Sequence, residues 1–391
     1  MHNLGSGIWK DSIPEELSKR LKLFSHTPLL ETIPDWELEA SMIEASIYQG
    51  LLQNHDLQVL NRPTVERGGY LAIIPFTWTS CNNRLRTNAS ASYLWNLMTL
   101  SLFTYQVDEF MEAVAGPAFE GELTGLRRII DETVSQMQRQ DNAPDARGDS
   151  VSMENQLAKA TRFILDQITI RRASHHDRTT LVQELRIFFH AHATQVEDSS
   201  RLRVDVIAGR NGYNSFCSSF YRWLHTTSSD HIAAPFCFYY MTCLLGADLT
   251  TKASQDCFLT ATEKYLAAET CHHLACMCRM YNDAGSWSRD HDEGNLNCIH
   301  FPDFATKNGG HAAKKAALLR IAQNERRRWQ RSANELRDEM VCTAADPTSA
   351  RFAARKMCLI SMFCDVTDLY GQLYVLRDLS SAIQIEARNG S

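Results

Sequence analysis

The chain has 391 residues, a formal net charge of −6 at pH 7 and 12 cysteines. This length is enough for a sizeable core in one large domain or two ordinary ones. The acidic balance excludes a general basic surface for nucleic acid. No apolar run reaches the roughly 18 residues that indicate a transmembrane helix.

The beginning of the sequence, MHNLGSGIWKDSIPEELSKR, has no hydrophobic core of the kind found in secretory signal peptides. We therefore expect an intracellular, cytoplasmic protein. In that compartment the cysteines are expected to be reduced thiols rather than a disulfide framework.

Helical spacing of apolar residues recurs along the chain, and alternation with period two is scarce. The best candidate for a strand, GGYLAIIPFTW (68–78), is interrupted by Pro75. The loop-like stretch QDNAPDARGDS (140–150) is expected to be a surface loop inside one helical bundle rather than a domain linker. The pattern therefore predicts an all-α fold, with several apolar side chains as plain core residues: Phe188, Phe189, Phe236, Phe238 and Met277.

A first acidic motif, VDEFME (107–112), lies just before the helix stop signal Gly116–Pro117. Asp108 and Glu112 repel each other and meet the unfavourable end of the helix dipole, so a positive partner is expected. A solvated acidic helix tip is the alternative. At about 100° per residue, one face of this helix runs from apolar to acidic through Leu94, Met98, Ser101, Tyr105, Asp108 and Glu112.

A second motif lies in CHHLACMCRMYNDAGSWSRD (271–290). Asn282, Ser286 and Asp290 follow one another at intervals of four residues, which places them on one face of a helix that Gly294 is expected to end. An amide oxygen, a hydroxyl and a carboxylate are suitable ligands for a hard cation such as Mg²⁺. The motif therefore predicts a magnesium site.

The thiols and imidazoles of CHHLACMC raise the alternative of a zinc site. Cys276 and Cys278 would point roughly 200° apart on a helix, whereas the ligands of a tetrahedral ion must converge. Small buried thiols are therefore the preferred interpretation of this segment.

The two motifs resemble those of the class I terpene synthases. DEFME is similar to the aspartate-rich DDxxD/E motif, with Glu109 where many members have a second Asp, and NDAGSWSRD is similar to the (N/D)DxxSxxxE/D motif. Longer segments resemble the class I α-domain of fungal diterpene synthases of the ent-kaurene synthase type: IPFTWTSCNNR, YQVDEFMEAVAG, HTTSSDH, YNDAGSWSRDHDEGNLNCIHFPDF and FCDVTDLYGQLY.

The resemblance implies one class I terpenoid synthase-like helical bundle around a central apolar pocket, spanning residues 1–391. Residues 1–65 are expected to be an N-terminal helical segment packed on the bundle. No DxDD motif is present, so no class II domain is expected. The implied activity is that of a class I terpene cyclase, a carbon–oxygen lyase that ionises a C20 or C15 prenyl diphosphate, cyclises the carbocation and releases diphosphate.

The resemblance also implies three Mg²⁺ ions and a set of site residues. HTTSSDH (225–231) resembles the broken helix that helps to trigger ionisation in this family. Tyr105 is a candidate for stabilising the carbocation through its aromatic face, and Tyr370 could line the pocket. The expected metal ligands are Asp108, Glu109, Glu112, Asn282, Ser286 and Asp290, and the candidates for diphosphate binding are Arg84, Arg222, His225 and Tyr374.

Two further segments carry predictions. The basic run ERRRWQR (325–331) is expected to be a solvated helix face. The stretch HFPDFATKNGG (300–310), with Gly309 and Gly310, is a candidate lid that closes over the site.

Two alternatives to a cyclase remain open from the sequence. One is a chain-elongating prenyltransferase, which uses the same metals and fold. The other is a catalytically silent helical binding protein. The expected partners are a prenyl diphosphate substrate, no nucleic acid and no membrane, with the chain a monomer or a homodimer.

Overall fold

The computed structural model describes residues 172–207, 218–249, 255–305 and 310–376, together with positions 107, 127, 130, 131, 134, 135 and 165. Nearly all of these residues are helical, none of them is in a strand, and the all-α prediction is confirmed. Residues 1–65, 68–78 and 140–150 lie outside the described part, so the single-domain arrangement stays a prediction. The described helices are α1 His175–Ile207, α2 Phe220–Trp223, α3 Ser229–His231, α4 Ala234–Leu249, α5 Ala261–Glu293, α6 His311–Cys342 and α7 Pro347–Leu376.

Helix α5 lies at the centre, packed against α6, α7 and α4. Its start is fixed by a capping box, in which the Thr260 side chain accepts from the Glu263 backbone N–H at 3.0 Å and the Glu263 carboxylate accepts from the Thr260 N–H at 3.4 Å. It ends at Gly294, as predicted, in a left-handed conformation with φ 68° that glycine adopts without strain.

Helix α4 is apolar on nearly all sides, which is typical of a buried helix. Phe236 and Phe238 are fully buried, and the Phe236 ring stacks on Phe188 of α1 with centroids 5.9 Å apart. Burying a side chain of this size contributes about 1.5–3 kcal/mol. The core positions predicted from the sequence are confirmed, since Phe189 and Met277 are also buried.

Helix α7 approaches α5 closely because Gly371 has no side chain. A Cβ at this position would lie 3.2 Å from both Cys278 Sγ and Tyr281 Cδ2. One turn away, the Cys278 thiol donates to the Thr367 carbonyl of α7 at 3.5 Å.

The basic run of α6 is not uniformly solvated, and the prediction is wrong for Glu325 and Arg326. Both side chains are buried, and Arg326 forms an ion pair with Asp368 of α7. Its Nε also lies 3.3 Å from the hydroxyl of Tyr281 on α5. The prediction holds for Arg331, whose side chain is 80% exposed, because this position faces away from the other helices.

Between α1 and α4 the chain forms a broken helix. The α-helical turn Phe220–Trp223 widens to a π-helical segment, Leu224–Ser228, before the short turn Ser229–His231. Inside it the Thr226 hydroxyl donates to the Arg222 carbonyl at 2.8 Å, a bond that often bends helices. The break implied by HTTSSDH is therefore present, and π-helical segments occur frequently at functional sites.

No helix among the described residues combines the length and apolarity needed to cross a lipid bilayer.

Candidate active site

The second motif occupies the last turns of α5. Ser286 is fully buried, Asp290 is 6% exposed and Asn282 is half-buried. The Ser286 hydroxyl donates to Asp290 Oδ2 at 2.6 Å. Three oxygen-bearing side chains are thus held along one side of the helix, as their spacing predicts.

This donor set is suitable for a hard cation. A hydroxyl that donates one hydrogen bond keeps its lone pairs, and a carboxylate offers about four acceptor sites. The bond from Ser286 to Asp290 therefore leaves oxygen lone pairs on both groups, and Asn282 adds an amide oxygen. Oxygen atoms are the ligands that Mg²⁺ prefers.

Asn297 fixes the orientation of the Asp290 carboxylate. It lies in the segment that follows Gly294 and is fully buried. Its side-chain amide donates to Asp290 Oδ2 at 2.8 Å and to the Asp283 carbonyl at 2.9 Å. The sequence analysis missed this residue, although an Asn shortly after a helix stop is a signal for a cap, and Asn297 caps the short 3₁₀-helix Cys298–His300.

A buried ion pair within α5 lies next to the segment that follows Gly294. Arg279 Nε lies 2.8 Å from Asp283 Oδ1, and the other carboxylate oxygen accepts from the Cys298 N–H at 2.7 Å. Arg279 also donates to the Leu296 carbonyl at 3.1 Å. Burial raises the pKa of Asp283, while the nearby Arg279 charge acts in the opposite direction. Arg279 and Asp283 therefore tie the chain after Gly294 to the part of α5 that precedes Asp290.

Two residues of the predicted lid, Phe301 and Phe304, are packed into the core. Phe301 is buried against Trp223, with ring centroids 4.9 Å apart, and Phe304 packs on Phe220 at 4.9 Å. These contacts anchor the first half of the predicted lid in the core. Gly309 and the three residues before it lie outside the described residues.

The first motif lies outside the described residues, so the meeting of the two motifs stays a prediction. Val107, directly before Asp108, is helical and fully buried. Tyr370 and Tyr374 lie on α7, but their side chains are outside the described part. The other predicted site residues that cannot be placed are Arg84, Tyr105, Asp108, Glu109 and Glu112.

Arg222 and His225 lie on the broken helix. Arg222 is exposed, whereas His225 is half-buried with its ring against α5. His225 Nδ1 lies 2.8 Å from His272 Nε2, and its Nε2 lies 3.7 Å from Glu325 Oε1. Burial lowers the pKa of His225. Its role towards diphosphate stays a prediction.

No protein-family model matches the chain, but curated relatives do. The chain is 38% identical to ent-kaur-16-ene synthase of Fusarium fujikuroi over 397 residues, which cover 97% of this chain and 41% of the relative. It is 34% identical to pimaradiene synthase pbcA of Emericella nidulans over 386 residues, covering 92% of this chain and 39% of the relative. The chain thus spans about two fifths of the length of these relatives.

Solved structures of low sequence identity share the fold. Linalool/nerolidol synthase from Streptomyces clavuligerus aligns with a TM-score of 0.55 at 10% identity, covering 85% of this chain and 94% of the other. For 2-methylisoborneol synthase from Streptomyces coelicolor the TM-score is 0.56 at 9% identity, covering 87% of this chain and 91% of the other. At such identities the likeness concerns the fold.

The named relatives and structural neighbours are terpene synthases, which are enzymes, and synthases of this class generally use Mg²⁺. They support the interpretation as a terpene cyclase and give no support to a prenyltransferase or a silent binding protein. The resemblance inferred from the sequence is confirmed: the chain is a homologue of the fungal ent-kaurene and pimaradiene synthases, with the fold of the class I terpene synthases.

Proposed function

We propose that the chain is a Mg²⁺-dependent class I terpene cyclase. It would ionise an allylic prenyl diphosphate of the C20 or C15 class and cyclise the carbocation to a terpene, with release of diphosphate. The observation that carries this proposal is the set of three oxygen ligands, Asn282, Ser286 and Asp290, on successive turns of α5. The homology to ent-kaur-16-ene synthase supports it.

The residues of α5 would hold one ion, and the acidic motif on the other helix, Asp108, Glu109 and Glu112, would hold two. When bound, Mg²⁺ neutralises charge that develops on the leaving diphosphate. Asn297 keeps Asp290 Oδ2 in place through its 2.8 Å hydrogen bond, so the carboxylate need not reorient when an ion arrives. A carboxylate that is already oriented contributes more to transition-state stabilisation than one that must first be ordered.

Basic and aromatic side chains would complete the site. Arg84, Arg222, His225 and Tyr374 are proposed to bind the diphosphate. Tyr105 and Tyr370 are proposed to stabilise the carbocation, each by about 0.5–2 kcal/mol. A water-free pocket is needed because water would capture the cation.

The test is incubation of the purified protein with Mg²⁺ and, separately, farnesyl, geranylgeranyl and copalyl diphosphate. Diphosphate release and the hydrocarbon products are measured. We expect a cyclic hydrocarbon from one of these substrates, and none after chelation of the metal. Chain extension on addition of isopentenyl diphosphate would instead identify an elongating enzyme, and binding without turnover would identify a silent protein.

A further inference from the structure

A second polar cluster lies in the first half of α5, where its N-terminal turns meet the broken helix. His272 and Cys276 are one turn apart on α5, and His225 reaches them from the π-helical segment Leu224–Ser228. Cys276 Sγ lies 3.5 Å from His225 Nδ1 and 3.7 Å from His272 Nε2. The two ring nitrogens are 2.8 Å apart. Two nitrogen atoms and one sulfur atom therefore converge on one point.

These separations are close to those of ligands around a tetrahedral ion. With metal–nitrogen bonds of about 2.0–2.1 Å and a metal–sulfur bond of about 2.3 Å, adjacent ligands lie about 3.4 Å (N to N) or about 3.6 Å (N to S) apart. Both sulfur–nitrogen distances already match. The nitrogen–nitrogen distance is that of a hydrogen bond, and it must widen by about 0.6 Å to admit an ion at the tetrahedral separation.

The neighbouring carboxylate is placed to orient one of the imidazoles. Glu325 of α6 is buried, and its Oε1 lies 3.7 Å from His225 Nε2. When Nδ1 of His225 faces the cluster, Nε2 faces this carboxylate. A metal-binding histidine almost always donates its second ring N–H to such an acceptor. Glu325 is itself held by His273, whose Nδ1 lies 2.7 Å from Oε2.

Metal binding requires neutral imidazoles and a thiol that loses its proton. Burial lowers the pKa of His225, and it lowers the pKa of His272 to about 4, so burial favours the neutral form of both rings. Burial raises the pKa of Cys276 well above its usual value, so the thiol is protonated without metal and lies 3.6 Å from the Leu224 carbonyl, its hydrogen-bond acceptor. The side chain of His225 is 12% exposed, which gives the cluster a solvent edge.

We propose that His225, His272 and Cys276 form a binding site for a borderline transition-metal ion of the Zn²⁺ class, with water as the fourth ligand. Two metal–nitrogen bonds and one metal–sulfur bond form, the S–H bond breaks, its proton goes to solvent, and no electron is transferred. Nitrogen and sulfur ligands select against the hard Mg²⁺. Cys276 precedes Asn282, the first residue of the magnesium motif, by six residues, which separates the two sets by about 9 Å along the helix.

The ion would join two elements that already meet where the Cys276 thiol donates to the Leu224 carbonyl. It would tie the π-helical segment to α5, so that binding energy adds to the stability of this junction. None of the three ligands belongs to the two magnesium motifs. His225 is also one of the proposed diphosphate residues, and in the metal site its Nδ1 binds the ion while its Nε2 faces Glu325, so the two roles of His225 exclude each other and the metal titration is made without diphosphate.

The experiment uses the purified full-length chain, freed of metal with a chelator and titrated with Co²⁺. We expect one equivalent to produce the visible bands of tetrahedral Co²⁺ and a thiolate-to-metal charge-transfer band, and Zn²⁺ to displace them. Cys276→Ala should abolish the charge-transfer band, whereas His225→Gln and His272→Gln should each weaken binding at least about tenfold. The matched control is Cys278→Ala, which removes a buried thiol two residues away that contacts α7 and should leave the spectrum unchanged.

Proton release gives an independent readout. Calorimetric titration with Zn²⁺ in buffers of different ionisation enthalpy should show about one proton released per ion at pH 7. Helix content and melting of each metal-free variant establish that it is folded. The proposal is overturned if Co²⁺ gives no charge-transfer band in the parent, if Cys276→Ala keeps the band, or if no proton is released.

Discussion

The two halves of α5 present different donor atoms to the interior, although they belong to one continuous helix. The second half carries the oxygen donors Asn282, Ser286 and Asp290, all within its own sequence. The first half carries a ring nitrogen and a thiol, from His272 and Cys276, and gains its third donor from His225, which precedes His272 by 47 residues. The oxygen donors proposed for a hard ion can thus come from one helix. The nitrogen and sulfur donors come together only through a contact between two helices.

The two halves also differ in what supports them. The oxygen donors are held by the chain that follows the helix, through Asn297 and the Asp283–Cys298 contact. Among the nitrogen and sulfur donors, His225 lies beside a neighbouring helix, with its Nε2 3.7 Å from Glu325 Oε1 of α6. A substitution in the residues that support one half should therefore affect metal binding by that half and leave the other half unchanged.

Helix α5 is continuous through both halves, and the largest expected effect concerns the point where the halves join. Tyr281 lies where the halves join and contacts Arg326, which is paired with Asp368 of α7. Removing one partner leaves a buried charge unpaired, so Asp368→Ala should lower the free energy of unfolding by about 3–5 kcal/mol. Urea denaturation measures this value.

The control is Arg331→Ala, which removes an exposed pair with Glu335 at 2.8 Å and should leave the free energy of unfolding nearly unchanged. Equal losses in the two variants would show that the buried pair does not hold the junction of the halves.

The second prediction concerns the oxygen donors alone. Asp290→Ala should lower kcat/KM by about 10²–10³-fold, since it removes a charge that acts in the transition state. Asp292→Ala is the matched control, because Asp292 is exposed two residues later and should keep parental activity. Diphosphate release at several Mg²⁺ concentrations checks both. Similar activity in the two variants would remove Asp290 from the proposed ligands.

The third prediction concerns Asn297, which orients the Asp290 carboxylate in the second half of α5. Asn297→Ala removes the hydrogen bonds to Asp290 and to the Asp283 carbonyl. Loss of a group that orients a ligand typically costs about 10–100-fold in metal affinity or activity. We expect the Mg²⁺ concentration needed for half-maximal rate to rise by this factor, with a smaller change in the rate at saturating Mg²⁺.

Asn295→Ala is the control for that experiment, since the Asn295 amide pairs with the exposed Glu293 at 2.9 Å. A loss of rate at saturating Mg²⁺ with no change in the Mg²⁺ requirement would show that Asn297 acts only on the fold.

The same contrast explains which features could be predicted from the sequence. Asn282, Ser286 and Asp290 could be predicted to share a face because one helix fixes their relative positions. Gly294 could be predicted as the stop for the same local reason. The divergence of Cys276 and Cys278 was also predictable, and their thiols do contact different elements.

The contacts that join distant segments could not be predicted. Nothing in the run ERRRWQR distinguishes Arg326, which meets Asp368, from its exposed neighbours, because the distinction arises only when α7 packs against α6. The meeting of His225 with His272 depends in the same way on where the broken helix crosses α5. Asn297 carried a local signal, but its target Asp290 is reached only after the chain reverses at Gly294.

The smallest expected effect concerns acid, and it should separate the two halves once more. Burial, with smaller contributions from the charges of His225 and His273, lowers the pKa of His272 to about 4 in the folded protein, whereas an unfolded chain has a value near about 6.5. Between these values the unfolded state binds more protons, so this group contributes stability that is complete above about pH 6.5 and is lost as the pH falls towards about 4.

His272→Gln should therefore lessen the fall in the free energy of unfolding over this range. The change in slope should correspond to less than one bound proton, because the ring is partly exposed. The parent protein is the reference for this slope. Urea denaturation of the metal-free proteins at several pH values between about 4 and 7 measures both slopes, and an unaltered slope in His272→Gln would show that this imidazole is not the acid-sensitive group of the first half.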